Sequence, residues 1–229
     1  MRPDCSAFLN WNEEELESEH EMAVVFRSLV ATMKLQPALN DIREAKAVKF
    51  LKSLDRDTQE YTDALFTSLA SFSDESLTGF VQSIVVLISS PSQAITTATM
   101  KMLRSLIVYS SAKVRIALIE ADLIPQIVIT LNPLSLSFAE AVDIHINVTR
   151  IIFQSLWLAT PGGLTQLKLK DRNEQQDVHE TVFQQVLFPS EKYIWHLCVN
   201  LESIVDGEQS SYFLFLLARL LKISPYYQQ

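Results

Sequence analysis

Four glycines in 229 residues, Gly79, Gly162, Gly163 and Gly207, limit what this chain can fold into more than any motif does. Glycine ordinarily makes up about 7% of a sequence. Tight β-hairpins, phosphate-cradling loops and nucleophile elbows all depend on its freedom at positive φ, so folds and chemistries built on those turns have almost nowhere to sit. Helix is what remains, and 48% hydrophobic content is ample for a continuous core. No alternating pattern long enough for a strand is visible, so no sheet is expected.

The apolar periodicity fills in the helices. Asn12-Glu-Glu-Glu15 fits a capping box that would set the acidic run Glu13 to Glu21 on a helix start, ahead of the stripe Met22, Val25, Phe26, Leu29, Val30, Met33. Pro37 ends that helix. A second is expected over Asn40 to Leu54, burying Ile42, Ala45, Val48 and Leu51, and a third over Thr58 to Phe72 with Tyr61, Leu65, Leu69 and Phe72 inside. Asp74 would cap a fourth, carrying Leu77, Phe80, Val81, Ile84, Val85 and Ile88, and a fifth runs over Ser92 to Tyr109. After a pair of short helices between Val114 and Leu131, a long helix is expected over Ser137 to Ala159, ended by Pro161-Gly-Gly163. Residues 164–177, polar after Leu169, read as an insertion, a loop or a short extra turn, and as the most mobile stretch. Helices then resume over Asp177 to Phe188, Glu191 to Glu202 and Glu208 to Ile223, separated by Pro189-Ser190 and Asp206-Gly207.

Charge and cysteine content exclude several functions. A net charge of −8 repels a phosphate backbone, so nucleic acid is not an expected partner. Two cysteines, Cys5 and Cys198, supply neither a disulfide framework nor a four-ligand zinc site and suit a reducing, cytoplasmic setting. The N-terminus lacks a signal-peptide pattern, and the longest apolar stretches, Gly79 to Ser90 and Ser211 to Ala218, fall short of the roughly 20 residues that cross a bilayer. A soluble protein without its own membrane anchor is expected.

Catalytic constellations are sparse. His196 and Cys198 lie two apart, which points them to different sides of a helix, and Cys198 among Ile194, Leu197 and Leu201 reads as a core thiol. His145, amid Val142, Ile144, Ile146 and Val148, reads as a satisfied core histidine, while His179 reads as a solvent-facing residue opening a helix. His20 lies within the glutamate run, and no two histidines are spaced as a helical metal pair. Trp11, Trp157 and Trp195 read as core or interface aromatics. No metal, cofactor or catalytic residue is assigned, and a helical active site built on His145 or His179 with a distant carboxylate is the weaker enzymatic alternative.

The punctuation between helices repeats. Leu103-Arg-Ser-Leu-Ile-Val-Tyr-Ser-Ser111, Phe153-Gln-Ser-Leu-Trp-Leu-Ala-Thr-Pro161 and Leu217-Ala-Arg-Leu-Leu-Lys-Ile-Ser-Pro225 align without gaps, and Phe50-Leu-Lys-Ser-Leu54 is a looser copy. Ile88-Ser-Ser-Pro91, Leu131-Asn-Pro133 and Phe188-Pro189 each close one helix and open another. Pro91 and Pro133 stand 42 residues apart, within the armadillo and HEAT period. Between them lies the elbow Val114-Arg-Ile-Ala-Leu-Ile-Glu-Ala-Asp-Leu-Ile-Pro-Gln-Ile-Val-Ile-Thr-Leu131, two short helix patterns around a tight Ala-Asp corner.

On these residues the chain resembles the armadillo-like repeat family, well over residues 77–160, less over 178–225 and only in architecture before 73. The resemblance implies an all-α, armadillo/HEAT-like right-handed α-solenoid of about three to four degenerate repeats. It implies an N-terminal acidic segment (1–18), a single helical domain (19–225) with an insertion loop at about 162–177, and a tail (226–229). Its implied function is a non-catalytic scaffold that binds a segment of an unidentified protein partner on a concave helical face. Peptide-binding members carry an asparagine ladder there, with a tryptophan one turn earlier. Here the asparagine-equivalent positions are Ser53, Ser105, Ser155 and Arg219 and the tryptophan-equivalents Lys49, Lys101, Ile151 and Phe215. The ladder is missing, so nuclear-import-type cargo binding is not implied, and these eight residues are the candidate groove positions.

Two further readings stay open. Arg43, Lys46, Lys49, Lys52 and Arg56 form a basic band, either a plain solvent face or a docking strip for an acidic segment from a partner or from Glu13 to Glu21. The apolar last helix, Tyr212 to Leu217, suits self-association, and the opening Pro3-Asp-Cys-Ser6 through Phe8-Leu-Asn-Trp11 loosely resembles protist armadillo-like proteins, some fused to kinases. Both fit a regulatory or oligomerisation module of a larger multidomain protein.

Overall fold

The computed structural model describes residues 5–12, 18–71, 76–131, 141–199 and positions 211, 214 and 218. Every regular element among the described residues is helical, so the chain is all-α. Its contacts divide it into two compact units, Met1–Ser110 and Ser111–Gln229.

The first unit holds α1 (Ser6–Asn10), α2 (Glu19–Leu35), α3 (Asp41–Ser53), α4 (Gln59–Ser71), α5 (Ser76–Ile88) and α6 (Gln93–Tyr109). The capping box that starts α2 is not the one expected at Asn12. Ser18, in extended backbone, accepts from the Glu21 N–H at 3.3 Å while the Glu21 carboxylate takes the Ser18 N–H, also at 3.3 Å. Asn12 is not helical, and Glu13 to Glu17 and Asp74 lie outside the described residues. Ahead of α2, the segment expected to be merely acidic contains α1, which buries Phe8 and sets Trp11 edge-on to Phe50 at 5.2 Å. The α2 stripe is buried as expected, apart from the half-exposed Met22, and α6 buries Ile95, Ala98, Met102, Leu103, Leu106 and Ile107.

The α3 stripe is the main correction in this unit. Ile42 is 81% exposed and Ala45 is exposed, whereas Ala47, Phe50, Leu51 and Leu54 are buried. Positions 42, 45 and 48 step by three and drift around the helix; 47, 50, 51 and 54 follow the true period and carry the larger ring. The inward side of α3 is therefore rotated, and Lys49, Lys52 and Arg56 share the outward stripe with Ile42 and Ala45. Within the unit, α3 packs on α6, α2 on both α4 and α5, and α4 and α5 each on α6.

The second unit holds α7 (Ala112–Glu120), α8 (Leu123–Leu131), α9 (Val142–Trp157), α10 (Pro161–Gln166), α11 (Arg172–Val182), a π turn (Phe183–Leu187) and α12 (Phe188–Val199). Ser111 caps α7, and the Ala-Asp corner closes as read, with Asp122 at φ 61 donating its N–H to Ile119 O at 3.1 Å. Aspartate tolerates that left-handed geometry better than most residues. Residues 132–140 and most of 200–229 lie outside the described residues, so the start of the long helix and the apolar last helix do too.

The two proline-marked breaks differ: α9 ends at Trp157 as expected, whereas the break at Pro189 is absent. Pro161 does not simply stop α9: it opens α10 from its first turn, under a Thr160 side chain that accepts the Gly163 N–H. A Cβ on Gly163 would stand 2.4 Å from Trp157 O, which explains a glycine there. The segment expected as an insertion loop is thus mostly α10 and α11, joined by a short turn at Leu167–Asp171 in which Lys168 sits at φ 56. Nor does Pro189 separate two helices. The Phe188 N–H reaches back five residues to Phe183 O, and this wider turn lets Pro189 follow in the first turn of α12, where its missing N–H matters little.

Candidate partner-binding surface

The eight candidate groove residues fall in both units, four in each. In the first unit Lys49 is exposed, Ser53 and Lys101 are half-buried, and Ser105 is 1% exposed. In the second, Ile151 and Ser155 are fully buried, and Phe215 and Arg219 lie outside the described residues. Ser105, Ile151 and Ser155 therefore present no surface of their own; the Ser155 hydroxyl is spent on Ile151 O at 2.9 Å, one turn back.

What the first unit does bring together is the outer side of α3 and α6. Asn40 caps α3 by accepting the Arg43 N–H at 3.0 Å, and the acids Asp41 and Glu44 stand in the first turn, where they complement the helix dipole. Every later charge on α3 is a lysine: Lys46, Lys49 and Lys52. Lys46 Nζ donates to Leu9 O at 2.6 Å, which ties α1 to α3. Helix α6 contains no acid at all, and its half-exposed stripe Thr97, Lys101, Arg104, Val108 follows a single helical face.

The α3–α4 connection fixes the register of these two helices. Asp55 accepts a hydrogen bond from the Ser105 hydroxyl and stands 3.9 Å from the Arg104 guanidinium. The C-terminal end of α3 thereby lies beside residues 104 and 105 of α6, with Lys49 and Lys52 preceding it on one helix and Lys101 on the other. Arg56 Nε donates to Ser53 O at 3.2 Å, and its guanidinium stacks 5.7 Å from the Tyr61 ring centroid. Burial pushes the Tyr61 phenol above its ordinary range, opposed by the Arg56 charge. Asp55 and Arg104 were not singled out from sequence. Arg104 was within reach, three residues after Lys101, but the Asp55–Ser105 contact spans 50 residues and leaves no local signal.

Among the described residues, His20, His145 and His179 stand apart in surroundings of different kinds. His145 is buried, its Nδ1 hydrogen-bonded to Tyr193 Oη at 2.7 Å, and burial holds the Tyr193 phenol far above its ordinary value. His179 closes α11 instead of opening it, and it is exposed, as is His20. The side chains of His196 and Cys198 lie outside the described residues. Glu120, Asp177 and Glu180 line a shallow depression beside α11, yet no cluster of three or more potential metal ligands occurs among the described residues. No described helix is long and apolar enough to cross a membrane. Trp195, expected as a core or interface aromatic, is 69% exposed.

No family model matches the chain, and no curated protein or solved structure matches it.

Proposed function

We propose that the chain is a non-catalytic armadillo-like scaffold that binds a segment of a protein partner along the α3/α6 face. The packing order within the first unit carries this reading. Helices α4, α5 and α6 make one three-helix group; α3 lies against α6 and α2 against both α4 and α5, so third helix meets third helix and second meets first and second. That is how successive armadillo repeats stack, and the side-by-side third helices form the usual binding surface. Lys49, Ser53 and Lys101 are the candidate residues that this arrangement leaves accessible, in a protein whose compartment we take to be the cytoplasm.

The test is affinity capture from the native source. Ser53→Trp places a bulky ring on the face at the cost of the half-buried bond from the Ser53 hydroxyl to Phe50 O at 2.7 Å; it should abolish capture of the partner, with circular dichroism showing that the chain is still folded. A capture profile identical to wild type would overturn the assignment of this face.

A second reading, a self-associating module of a larger protein, is favoured by the exposed Phe188, Trp195 and Val199 on one side of α12, with Ile129 exposed on α8. A strictly monomeric mass by light scattering across a wide concentration range would remove it.

A further inference from the structure

We infer that the exposed side of α11, the π turn and α12 docks a helical segment of a partner protein, one whose contact side carries arginine or lysine at one end and large apolar residues along the rest. The site lies wholly in the second unit and stands apart from the α3/α6 face. The three elements run on without a break as one rod. Asp177, Glu180, Gln184, Phe188, Trp195 and Val199 are all exposed and recur at steps of three, four or seven, so they share one side of it, while Val182, Val186, Tyr193 and Ile194 bury the other. That exposed side has two halves. The first borders the depression of about 390 Å³ lined by Glu120 of α7 and by Asp177, Glu180, Thr181, Gln184 and Gln185. The second is the row Phe188, Trp195 and Val199, 65%, 69% and 65% exposed, and a run of large apolar side chains left in solvent marks a surface that meets another molecule.

Charge selects the occupant. Every ionisable group lining the depression is an acid, and among the described residues none of Glu120, Asp177 and Glu180 is in an ion pair. Gln184 Nε2 donates to Glu180 Oε1 at 3.0 Å, so the Gln184 amide adds its own oxygen to an acceptor-rich wall. These acids do not converge as metal ligands do, since no group of three or more occurs among the described residues. A guanidinium or ammonium on a long side chain suits acceptors set apart in this way. Glu180 and Phe188 are separated by about 12 Å along the rod, so the partner's basic residue stands about two turns from its nearest apolar one. A second copy fits less well. An antiparallel pair that lays apolar on apolar brings no cation to Asp177 and Glu180, and the register that brings Lys192, the one cation on this side among the described residues, to Glu180 sets Trp195 against Asp177. A parallel pair sets acid against acid. Anionic lipid and nucleic acid are repelled by the same carboxylates.

The experiment measures fluorescence anisotropy of a labelled amphipathic peptide of about 18 residues with the full chain, at low and at physiological salt. The peptide carries leucines at helical spacing along one side and a pair of arginines about two turns beyond them; a twin carries glutamates in place of the arginines. The arginine peptide should bind more tightly than its twin and weaken as salt rises. Trp195→Ala should weaken it by about tenfold or more. Asp177→Lys combined with Glu180→Lys should do the same, and that charge-reversed chain should bind the glutamate twin better than wild type does. Asp57→Lys with Glu60→Lys, a matched change of charge on the first unit, should leave binding unchanged, and circular dichroism checks that each variant is folded. No binding of the arginine peptide, equal binding of the two peptides, or binding that survives both sets of changes overturns the inference. So does a mass that rises with concentration in wild type but not in Trp195→Ala, which gives the face to a second copy. Protection of Trp195 from oxidative labelling in the free monomer gives it to the chain itself, and binding to phosphatidylcholine vesicles that Trp195→Ala abolishes gives it to a lipid surface; either overturns the inference as well.

Discussion

The two units hide polar groups in different ways. In the first, the buried polar side chains among the described residues are small hydroxyls; Thr32, Thr62 and Thr99 close one turn back, on Ser28 O, Thr58 O and Ile95 O, while Ser28 takes the Phe8 N–H and Ser105 reaches Asp55. Its specificity comes from rings, with Phe80 between Phe26 and Phe66 and Trp11 against Phe50. The second unit buries larger polar groups that reach other helices. Arg115 of α7 stacks 5.5 Å from the Trp157 ring of α9 and bonds Gln166 of α10 at 3.0 Å, and His145 of α9 bonds Tyr193 of α12. A hydroxyl satisfied one turn back imposes nothing on its neighbours. A buried guanidinium or imidazole has to find its partner on another element, and so dictates how helices meet.

The contrast can be broken by substitution. Phe50→Ala removes a fully buried ring and its contact with Trp11, and it should cost about 3–5 kcal/mol in chemical denaturation. Tyr193→Phe keeps the ring but deletes the hydroxyl that His145 Nδ1 bonds, and it should cost about 1–3 kcal/mol. Thr99→Val, which loses only a bond within α6, should stay within about 1.5 kcal/mol. If Thr99→Val proves as damaging as Tyr193→Phe, the distinction between self-closed and cross-helix polar groups fails.

A pH series sharpens the same contrast. Burial raises the folded-state value of Tyr193 above that of the unfolded chain, so the unfolded phenol loses its proton first as the pH climbs. The associated stability is complete below about pH 10 and falls as the pH rises beyond it. Tyr61 shifts the same way, but it is only half-buried and Arg56 opposes the shift. Alkaline denaturation of Tyr193→Phe should accordingly be shallower than that of wild type, while Tyr61→Phe changes the slope less.

Much of the helix content was legible, because α2 and α6 bury long stripes whose period leaves one solution. The Ala-Asp corner was legible too, since Asp122 fits a left-handed turn and the flanking residues are apolar. Reading α3 by three-residue steps failed because its short stripe left Ile42 and Phe50 as rival markers of the inner side, and only packing on α6 decides between them. The helices at Pro161 and through Pro189 were missed for another reason. A proline marks a helix end or a helix start equally well, and what distinguishes them, the Thr160 cap or a widened turn before Pro189, is a hydrogen bond that spacing does not display. Of the candidate face, Lys49 and Lys101 were visible as equivalent positions, whereas the clamp at Asp55 joins residues too distant for any pattern to link.

The π turn at Phe183–Leu187 acts on the rest of its helix as a phase shift. It holds one residue more than an α-helical turn, and each residue advances a helix by about 100°, so everything after it points elsewhere than a uniform helix would direct it. With that offset Tyr193 meets His145 and Trp195 stands in solvent. Five residues thus help decide which side of α12 is core and which is surface, and a single deletion among them would turn everything beyond by about 100°.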